Sequence, residues 1–133
     1  MIGIDLVKIS RIERFIERFP DKALQKFLNA NEIKLAKNAS TAAGFWAAKE
    51  ATSKALQTGI GKDCSFHDIE IYKLKSGAPA LKLHLRLIKQ FNITDTSLSI
   101  THDAGLAIAV VAIEVKHGLS VREPSAEEST ALA

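Results

Sequence analysis

The sequence has little of several features that whole classes of protein require. Its 133 residues include one cysteine, Cys64, so an internal disulfide and a cysteine-based metal cluster are excluded. No uninterrupted apolar run approaches the roughly 20 residues that cross a bilayer. The N-terminal MIGIDLVKIS carries an acid at position 5 and has no long apolar stretch, unlike a secretory signal peptide. We therefore expect a cytoplasmic protein.

Excess charge of one sign and aromatic side chains are also scarce. The 18 lysines and arginines and 15 acidic residues give a net charge of +3, and the single Trp46 and Tyr72 lie outside any basic cluster. Nucleic-acid binding requires a denser basic stripe, often with aromatics for stacking. The charge therefore favours an acidic partner rather than a nucleic acid. The hydrophobic fraction of 47% and the length suit one globular domain.

Three common kinds of active site are missing. The four histidines are scattered, without the paired spacing of a zinc site. A phosphate-binding P-loop ending at Gly61-Lys62 would need a glycine where Leu56 stands and a serine or threonine where Asp63 stands. No nucleophile elbow supports a serine triad. TGIGK at 58–62 is therefore predicted to be a turn.

The first elements follow from hydrophobic spacing. MIGIDLV predicts a strand, and the apolar positions between Ile9 and Phe19 recur at steps of three or four, which predicts a helix. Ser10 is its predicted N-cap, with Glu13 at the capping-box position, and Pro20 ends it. A second, shorter helical region is expected over 21–38.

One side of the first helix is predicted to be basic. At 100° per residue its basic side chains share an arc separate from the acidic ones: Lys8, Arg11, Arg14 and Arg18. This pattern is typical of a solvated helix face and also of a docking surface for an acidic protein. Segregation of the charges slightly favours docking.

The rest of the chain changes from helix to strand. A third helix is expected over 42–57, with its alanines on one side and Trp46, Glu50, Ser53 and Lys54 on the other. A strand is predicted over 65–74, then a turn, then a strand followed by a helix through 80–91. SLSITHD and LAIAVVAIEV are predicted strands joined by a turn at 103–105, either buried on both faces or packed against another subunit. Residues 116–133 are expected to form a polar, flexible tail.

Asp5 and Glu50 are the candidates for a metal site. One lies at the end of a strand and the other on a helix, and Mg²⁺ prefers few carboxylates with water and phosphate oxygens. Lys54, one helical turn beyond Glu50, points toward the same volume. Carboxylates at strand ends and Glu/Lys pairs on helices are mostly structural, so from these residues alone both interpretations stay open.

Five segments in one order carry a resemblance to a known family. They are GIDLVKISRIE at 3–13, GFWAAKEATSKALQTGIG at 44–61, SFHDIEI at 65–71, SGAP at 76–79 and SITHD at 99–103. In this order the sequence resembles the holo-acyl-carrier-protein synthases, the small bacterial branch of the 4′-phosphopantetheinyl transferases. The resemblance implies one α+β domain over 1–115, with a mainly antiparallel sheet packed against helices. It also implies a homotrimer with sites at subunit junctions.

The resemblance implies an activity and a metal. Such enzymes transfer 4′-phosphopantetheine from coenzyme A to a serine of apo-acyl carrier protein for fatty acid biosynthesis, and release adenosine 3′,5′-bisphosphate. It implies that Asp5 and Glu50 bind Mg²⁺. Our own first candidate for the base is Glu50, directly or through a metal-held water. His102 is the second candidate, and Lys54 would balance charge on the leaving bisphosphate. A non-catalytic module that binds coenzyme A or the carrier protein is the alternative.

Further site residues are implied in the same way. The residues expected at the coenzyme are Lys49, Ser53, Lys54, Gly59, Gly77, Pro79 and His102. Arg11, Arg14 and Arg18 would receive the acidic carrier protein. One position departs from the family, because many relatives have an arginine after the motif's glycine, where this chain has Phe45. We expect that phosphate contact to be weaker, or to come from another residue such as Lys49 or Lys62.

Overall fold

The computed structural model describes residues 1–116. Its elements, in chain order, are β1 Ile2–Lys8, α1 Ile9–Arg18, α2 Ala23–Phe27, α3 Ala30–Leu35, α4 Ala39–Ala55, a 3₁₀ turn Phe66–Asp68, β2 Ile69–Lys73, β3 Pro79–Leu83, α5 Leu85–Phe91, β4 Ile93–Asp103 and β5 Leu106–Val115. The sheets are antiparallel, so the α+β prediction is confirmed. The tail prediction for 117–133 lies outside the described residues. Within residues 1–116 no helix is both long and apolar enough to cross a membrane.

A three-stranded sheet in the order β1-β5-β4 packs on α4 and forms the main layer of the molecule. The inward side chains of β5 are buried, as a two-residue period requires: Ala107, Ala109, Val111 and Ile113. The sequence predicted the β4–β5 turn at 103–105, and Ala104 and Gly105 there have φ of 51° and 77°. Both values are positive, as in the two-residue turns that match strand twist.

The alanine side of α4 lies against this sheet, as its spacing predicted. Ala47, Ala48, Ala51 and Ala55 are all buried. Gly3 of β1 faces them so closely that a Cβ atom there would lie 1.8 Å from the carbonyl oxygen of Ala51. Small residues on both elements therefore allow β1 and α4 to approach at backbone distance, which fixes residues 3–5 relative to the last turns of the helix.

The structure corrects the helix boundaries predicted for the N-terminal third. Helix α1 begins at Ile9, and its N-cap is Lys8 with no side-chain cap, so the prediction of a Ser10–Glu13 capping box is wrong. The region 21–38 is two helices rather than one. A capping box does start α3, where Asn29 accepts from the Glu32 backbone and Glu32 accepts from the Asn29 backbone.

The sheet face that points away from α4 is apolar and exposed along β1 and the neighbouring part of β5. On β1 the exposed fractions are 74% for Ile2, 59% for Ile4 and 55% for Leu6, and Val110 of β5 beside Ile4 is 40% exposed. We call this set of residues the outer sheet face. The two final strands are therefore buried on one face only within the chain. A contiguous apolar surface of this kind marks an interaction site in a protein monomer.

Candidate active site

The carboxylate of Asp5 and the ammonium of Lys54 meet where β1 crosses the last turns of α4. Asp5 belongs to the inward row of β1, with Gly3 and Val7, so its side chain points toward the helix. Lys54 Nζ donates to Asp5 Oδ1 at 2.8 Å, with side-chain exposures of 54% and 14%. The hydrogen bond that Lys54 donates to Asp5 raises the pKa of Lys54, which therefore stays charged.

Glu50 lies one helical turn before Lys54 and shares this environment. Burial raises the pKa of the Glu50 carboxyl, and the negative charge of Asp5 raises it further. The charges of Lys54 and Arg11 oppose that rise. A strand-borne and a helix-borne carboxylate therefore lie close enough to affect each other, with two cations beside them. The sequence predicted this convergence of Asp5, Glu50 and Lys54.

The two carboxylates suit a hard divalent cation that takes its remaining ligands from water or from a substrate. No cluster of three or more histidine, cysteine or acidic side chains in the described part of the chain is arranged to hold a metal. Two converging carboxylates are too few for Zn²⁺ or Ca²⁺, which protein side chains ligate more fully. Mg²⁺ typically binds through one or two carboxylates, with water and substrate phosphates completing its octahedron. Burial first, and the negative charge of Asp5 second, raise the pKa of Glu50, and both effects disfavour the charged carboxylate that such a cation would stabilise.

A basic pocket opens between α1, α2 and α4, with Trp46, one helical turn before Glu50, in its lining. Its volume is about 430 Å³, and its lining combines positive charges with aromatic rings: Arg11, Arg14, Arg18 and Lys26 with Ile12, Phe15, Phe19 and Trp46. The three arginines predicted to share one arc of α1 are exposed and line this pocket together. We call it the basic pocket below.

His102 lies in a different part of the chain from the carboxylates. Its Nε2 is 2.9 Å from the carbonyl oxygen of Ser40, near the start of α4, so Nε2 carries the proton and donates it. A Cβ atom on Gly44 would lie 3.1 Å from the same nitrogen. Gly44 precedes Glu50 by six residues, or about 9 Å along a helix axis. Within one chain the structure does not bring His102 to Glu50.

The predicted glycine and proline contacts occupy two separate turns. Gly59 follows α4 with a φ of 66°, and its backbone N–H bonds to the carbonyl of Ser53. Gly77 and Pro79 belong to the β2–β3 turn, where Gly77 has a φ of 90° and Pro79 begins β3. Both glycines are exposed, and a Cβ atom on either would meet nothing within 4 Å. They are accessible to a ligand.

Two predicted coenzyme contacts are wrong, because their side chains lie in the core. Lys49 is fully buried, and its ammonium donates to Glu32 Oε1 at 2.8 Å and to the carbonyls of Phe27 and Phe66. Ser53 is also fully buried, and its hydroxyl donates to the Glu50 carbonyl at 2.7 Å. Neither group has a free donor for a phosphate. Lys62 is exposed and remains a candidate.

Trp46 is the residue that the sequence analysis missed as part of the site. Its indole packs among Phe15, Phe27 and Phe66, with ring centroids 6.4, 5.0 and 4.8 Å away. The guanidinium carbon of Arg11 lies 5.4 Å from the centroid of the Trp46 ring. The spacing of four residues between Trp46 and Glu50, which puts both on one side of α4, was the available signal.

Known proteins are similar to this chain in sequence. The family model of the 4′-phosphopantetheinyl transferase superfamily matches residues 1–111. The holo-[acyl-carrier-protein] synthase of Sulfurimonas denitrificans is 58% identical over 114 residues, which are 86% of this chain and 94% of that protein. The one from Campylobacter fetus is 57% identical over 114 residues, 86% of this chain and 99% of that protein.

A solved structure extends the similarity to three dimensions. The crystal structure of Helicobacter pylori holo-[acyl-carrier-protein] synthase in complex with coenzyme A aligns with a TM-score of 0.83 and 52% identity. The alignment covers 86% of this chain and all of that one. The corresponding enzyme from Neisseria meningitidis aligns with a TM-score of 0.78 at 29% identity. Residues 1–111, which the family model matches, contain every candidate site residue named above.

Proposed function

The chain belongs to the 4′-phosphopantetheinyl transferase superfamily, and we propose that Asp5 and Glu50 form the divalent-cation site of its reaction. It transfers 4′-phosphopantetheine from coenzyme A to apo-acyl carrier protein, giving holo-acyl carrier protein and adenosine 3′,5′-bisphosphate. The observation that carries the proposal for the site is the convergence of Asp5, Glu50 and Lys54 at one crossing of β1 and α4.

Asp5 and Glu50 would hold Mg²⁺, which supplies charge stabilisation on the pyrophosphate when it is bound. The carrier's serine oxygen forms a bond to the phosphorus that bears pantetheine, and the bond from that phosphorus to the bridging oxygen breaks. The serine proton goes to a base, and the bridging oxygen leaves with adenosine 3′,5′-bisphosphate. The chain's own residues therefore position the phosphates, accept one proton and balance the charge on the leaving group.

Glu50 remains the first candidate for the base. Burial and the charge of Asp5 raise the pKa of its carboxyl above the ordinary value, so it is a stronger base than an exposed carboxylate. His102 already donates Nε2–H to Ser40, which leaves Nδ1 as its only basic nitrogen. Lys54 keeps its positive charge and lies beside Asp5, where it can balance charge on the leaving bisphosphate.

The exposed arginines of the basic pocket are the proposed docking site for the acidic carrier protein. Arg14 and Arg18 lie one and two turns beyond Arg11 on α1, so the row leads from the carboxylates outward along the helix. Charged rows of this kind mainly raise association rates and give binding that weakens with salt. We expect the KM for carrier protein to rise with ionic strength, while the KM for coenzyme A changes less.

We further propose that the active unit is a homotrimer with sites at subunit junctions. His102 and the Gly77–Pro79 turn belong to parts of one chain other than the Asp5 site. A ligand bound across two copies could contact both groups. The outer sheet face is the apolar surface that such copies would cover. Phe45 is buried in the core, so the phosphate contact of the missing arginine would come from elsewhere, with Lys62 the candidate.

The test is to weigh the carrier protein after reaction. Apo-carrier incubated with this protein, coenzyme A and Mg²⁺ should gain about 340 Da, the mass of the phosphopantetheine arm. An unchanged mass would support the alternative, a module that binds coenzyme A or carrier without transfer.

Glu50→Gln should remain folded and transfer at least about 100-fold more slowly, the usual effect of losing a general base. Turnover near the unsubstituted rate would remove Glu50 from the mechanism.

Metal binding tests the site separately from the chemistry. Isothermal titration with Mn²⁺, a hard divalent probe, should show binding that weakens at least about tenfold in Asp5→Asn, because one of two carboxylate ligands is lost. The matched control is Asp103→Asn, which removes an exposed carboxylate at the far end of β4. Equal affinity in the Asp5 variant and its control would show that the metal binds elsewhere.

A further inference from the structure

The three arginines of the basic pocket have different surroundings. Among cation–aromatic contacts within residues 1–116, Arg11 lies over Trp46 and Arg18 over Phe19. Trp46 is partly buried and packs against the core, whereas Phe19 is 44% exposed at the end of α1. Arg14 has no such contact within the same residues. Within these residues the chain therefore holds Arg11 against a partly buried ring and Arg18 against an exposed one, while Arg14 lies over no ring.

Trp46 is a rigid support because other rings surround it. Phe27, which is fully buried, meets the indole edge-on at 5.0 Å, and Phe66 lies at 4.8 Å with a tilt of 45°. Phe15 closes a third side. A guanidinium stacked on an aromatic ring that cannot turn loses little further freedom when it binds a ligand, and the stacking geometry suits arginine better than lysine.

This support also brings Arg11 to the reactive end of the pocket. Trp46 and Glu50 are neighbours on one side of α4. The guanidinium carbon of Arg11 lies 5.4 Å from the Trp46 ring, so Arg11 stands on the side of α4 that also carries Glu50. Arg18 lies seven residues further along α1, or about 10 Å away along the axis. Arg11 thus stands between the surface that would receive the carrier and the carboxylate that would accept the serine proton.

We propose that Trp46 is a positioning residue that holds Arg11 beside Glu50, so that Arg11 acts in the transfer step while Arg14 and Arg18 act only in docking. This inference rests on the proposed function of the site. Arg11 would bind an acidic group of the carrier near its serine and align the hydroxyl with Glu50. The bidentate, planar donors of a guanidinium suit a carboxylate at that place.

Steady-state kinetics with apo-carrier, coenzyme A and Mg²⁺ separate the two roles. Arg14→Gln and Arg18→Gln should each raise the KM for carrier protein about three- to tenfold, with kcat within about twofold. Arg11→Gln should lower kcat at saturating carrier by about tenfold or more. Arg11→Lys should recover little of the lost kcat, since an ammonium reproduces neither the stacking nor the paired N–H donors of a guanidinium. The charge-matched control is Lys89→Gln on α5, which removes an exposed positive charge far from the pocket.

The support from Trp46 is tested by two substitutions and by its own fluorescence. Trp46→Phe keeps a ring and should retain kcat within about threefold, whereas Trp46→Leu should lose kcat as Arg11→Gln does. Trp46 is the only tryptophan in the sequence, so its emission reports on this contact. Emission should change in Arg11→Gln and stay as in the unsubstituted protein in Arg14→Gln. Thermal unfolding of each variant identifies any that has lost its fold.

The outcomes distinguish this inference from the proposed function. If the unsubstituted protein does not add mass to the carrier, the proposed function fails. If it does, but Arg11→Gln changes only the KM for carrier, Arg11 is a docking residue like the others and the inference is overturned. Equal kcat in folded Trp46→Leu and Trp46→Phe would overturn the positioning role of Trp46. An unchanged Trp46 emission in Arg11→Gln would show that the contact does not form in solution.

Discussion

At the scale of single residues, Lys49 shows how a charge can be placed inside a core. Its ammonium donates to Glu32 and to two backbone carbonyls, and Glu32 accepts from the backbone N–H groups of Asn29 and Ile71. Burial lowers the pKa of Lys49, and the hydrogen bond from Lys49 to Glu32 opposes that effect. The pair joins α4 to α3 and to β2. Lys49 directly precedes Glu50 in sequence, but it points about 100° away around the helix axis and into the core.

Removing one member of this pair should cost more than removing both. Lys49→Met leaves Glu32 buried without its cation and should lower the free energy of unfolding by about 3–5 kcal/mol. The double variant with Glu32→Gln should be less destabilised than Lys49→Met alone. Urea unfolding measures both, and Arg86→Met, which breaks a half-exposed ion pair with Asp68, is the control, with an expected loss within about 1 kcal/mol. Equal losses in Lys49→Met and Arg86→Met would contradict the account.

Cys64 gives the protein a pH dependence of stability in the alkaline range. Burial raises the pKa of its thiol from 9.0 to about 11. The folded state therefore holds the proton more tightly than the unfolded state, so stability is complete below pH 9 and falls as the pH rises toward 11. Two pKa units correspond to about 2–3 kcal/mol.

Comparison with Cys64→Ala isolates this contribution. The alanine variant has no thiol to ionise, while all other side chains are the same in both proteins and cancel in the difference. Between pH 8 and pH 11 the unsubstituted protein should lose about 2–3 kcal/mol more than the variant in urea unfolding. Parallel curves over this range would show that the thiol is not desolvated as the structure indicates.

The prediction for the charged residue Lys49 was wrong and the prediction for the small residues of α4 was confirmed, for one physical reason. A lysine in a helix is usually exposed, so nothing local distinguishes Lys49, which is buried, from Lys54, which is half exposed. The difference depends on Glu32, 17 residues earlier, and that contact exists only after folding. The alanines of α4, by contrast, repeat at helical spacing, and a repeat is visible in the sequence.

At the scale of elements, the contact between β1 and α4 determines whether the site forms. Gly3 allows the backbone of β1 to reach the backbone of α4, and Asp5 follows two residues later on the same face. The distance of 2.8 Å between Asp5 and Lys54 depends on that approach. The family resemblance identified Asp5 and Glu50, but only the structure shows that Gly3 is needed to bring β1 and α4 together.

Gly3→Ala should therefore damage both stability and activity. The added methyl group would lie 1.8 Å from the carbonyl oxygen of Ala51 and 2.7 Å from the nitrogen of Ala55, so the strand or the helix must move. Such overpacking costs about 1–3 kcal/mol or more. Gly61→Ala is the matched control, since nothing lies within 4 Å of its added Cβ, and it should stay within about 0.5 kcal/mol. Equal unfolding midpoints in urea for the two variants would contradict the close approach.

Element boundaries were the least predictable part of the fold. Helix α1 begins without the side-chain cap that Ser10 offered, because β1 continues to Lys8 and the helix follows at once. The backbone N–H of Ile9 donates to the carbonyl of Gly105 in the β4–β5 turn. A tertiary hydrogen bond has thus taken the place of a local one, which no window of sequence reveals.

At the scale of the whole molecule, the outer sheet face links the fold to the proposed trimer. Ile4 lies in the middle of β1 on this face, beside Val110 of β5. Ile4→Lys would put a charge into the interface, so the protein should sediment as a smaller species and lose activity. Gln90→Lys adds the same charge to an exposed helix and should change neither property. An unchanged sedimentation coefficient for Ile4→Lys would show that this face is not an interface.

Mixing two inactive variants tests whether the sites lie between copies. Asp5→Asn disables the metal site, and His102→Ala disables the group that lies apart from it in the same chain. In a ring of head-to-tail junctions, each site would draw Asp5 from one copy and His102 from the next. Random mixed trimers would then contain intact pairs at about one quarter of the junctions, since each contributor is drawn independently. Activity should therefore return after the two variants are unfolded and refolded together.

The controls determine what a failure of this mixing would mean. Each variant refolded alone should remain inactive, and refolding of the unsubstituted protein should restore full activity. Sedimentation must show that the mixed sample has the same size as the unsubstituted protein. If it does and no activity returns, Asp5 and His102 serve the same site within one copy, and the gap of about 9 Å along α4 would be bridged by the ligand itself. Each copy in the trimer would then hold a complete active site, and assembly would not be needed to form it.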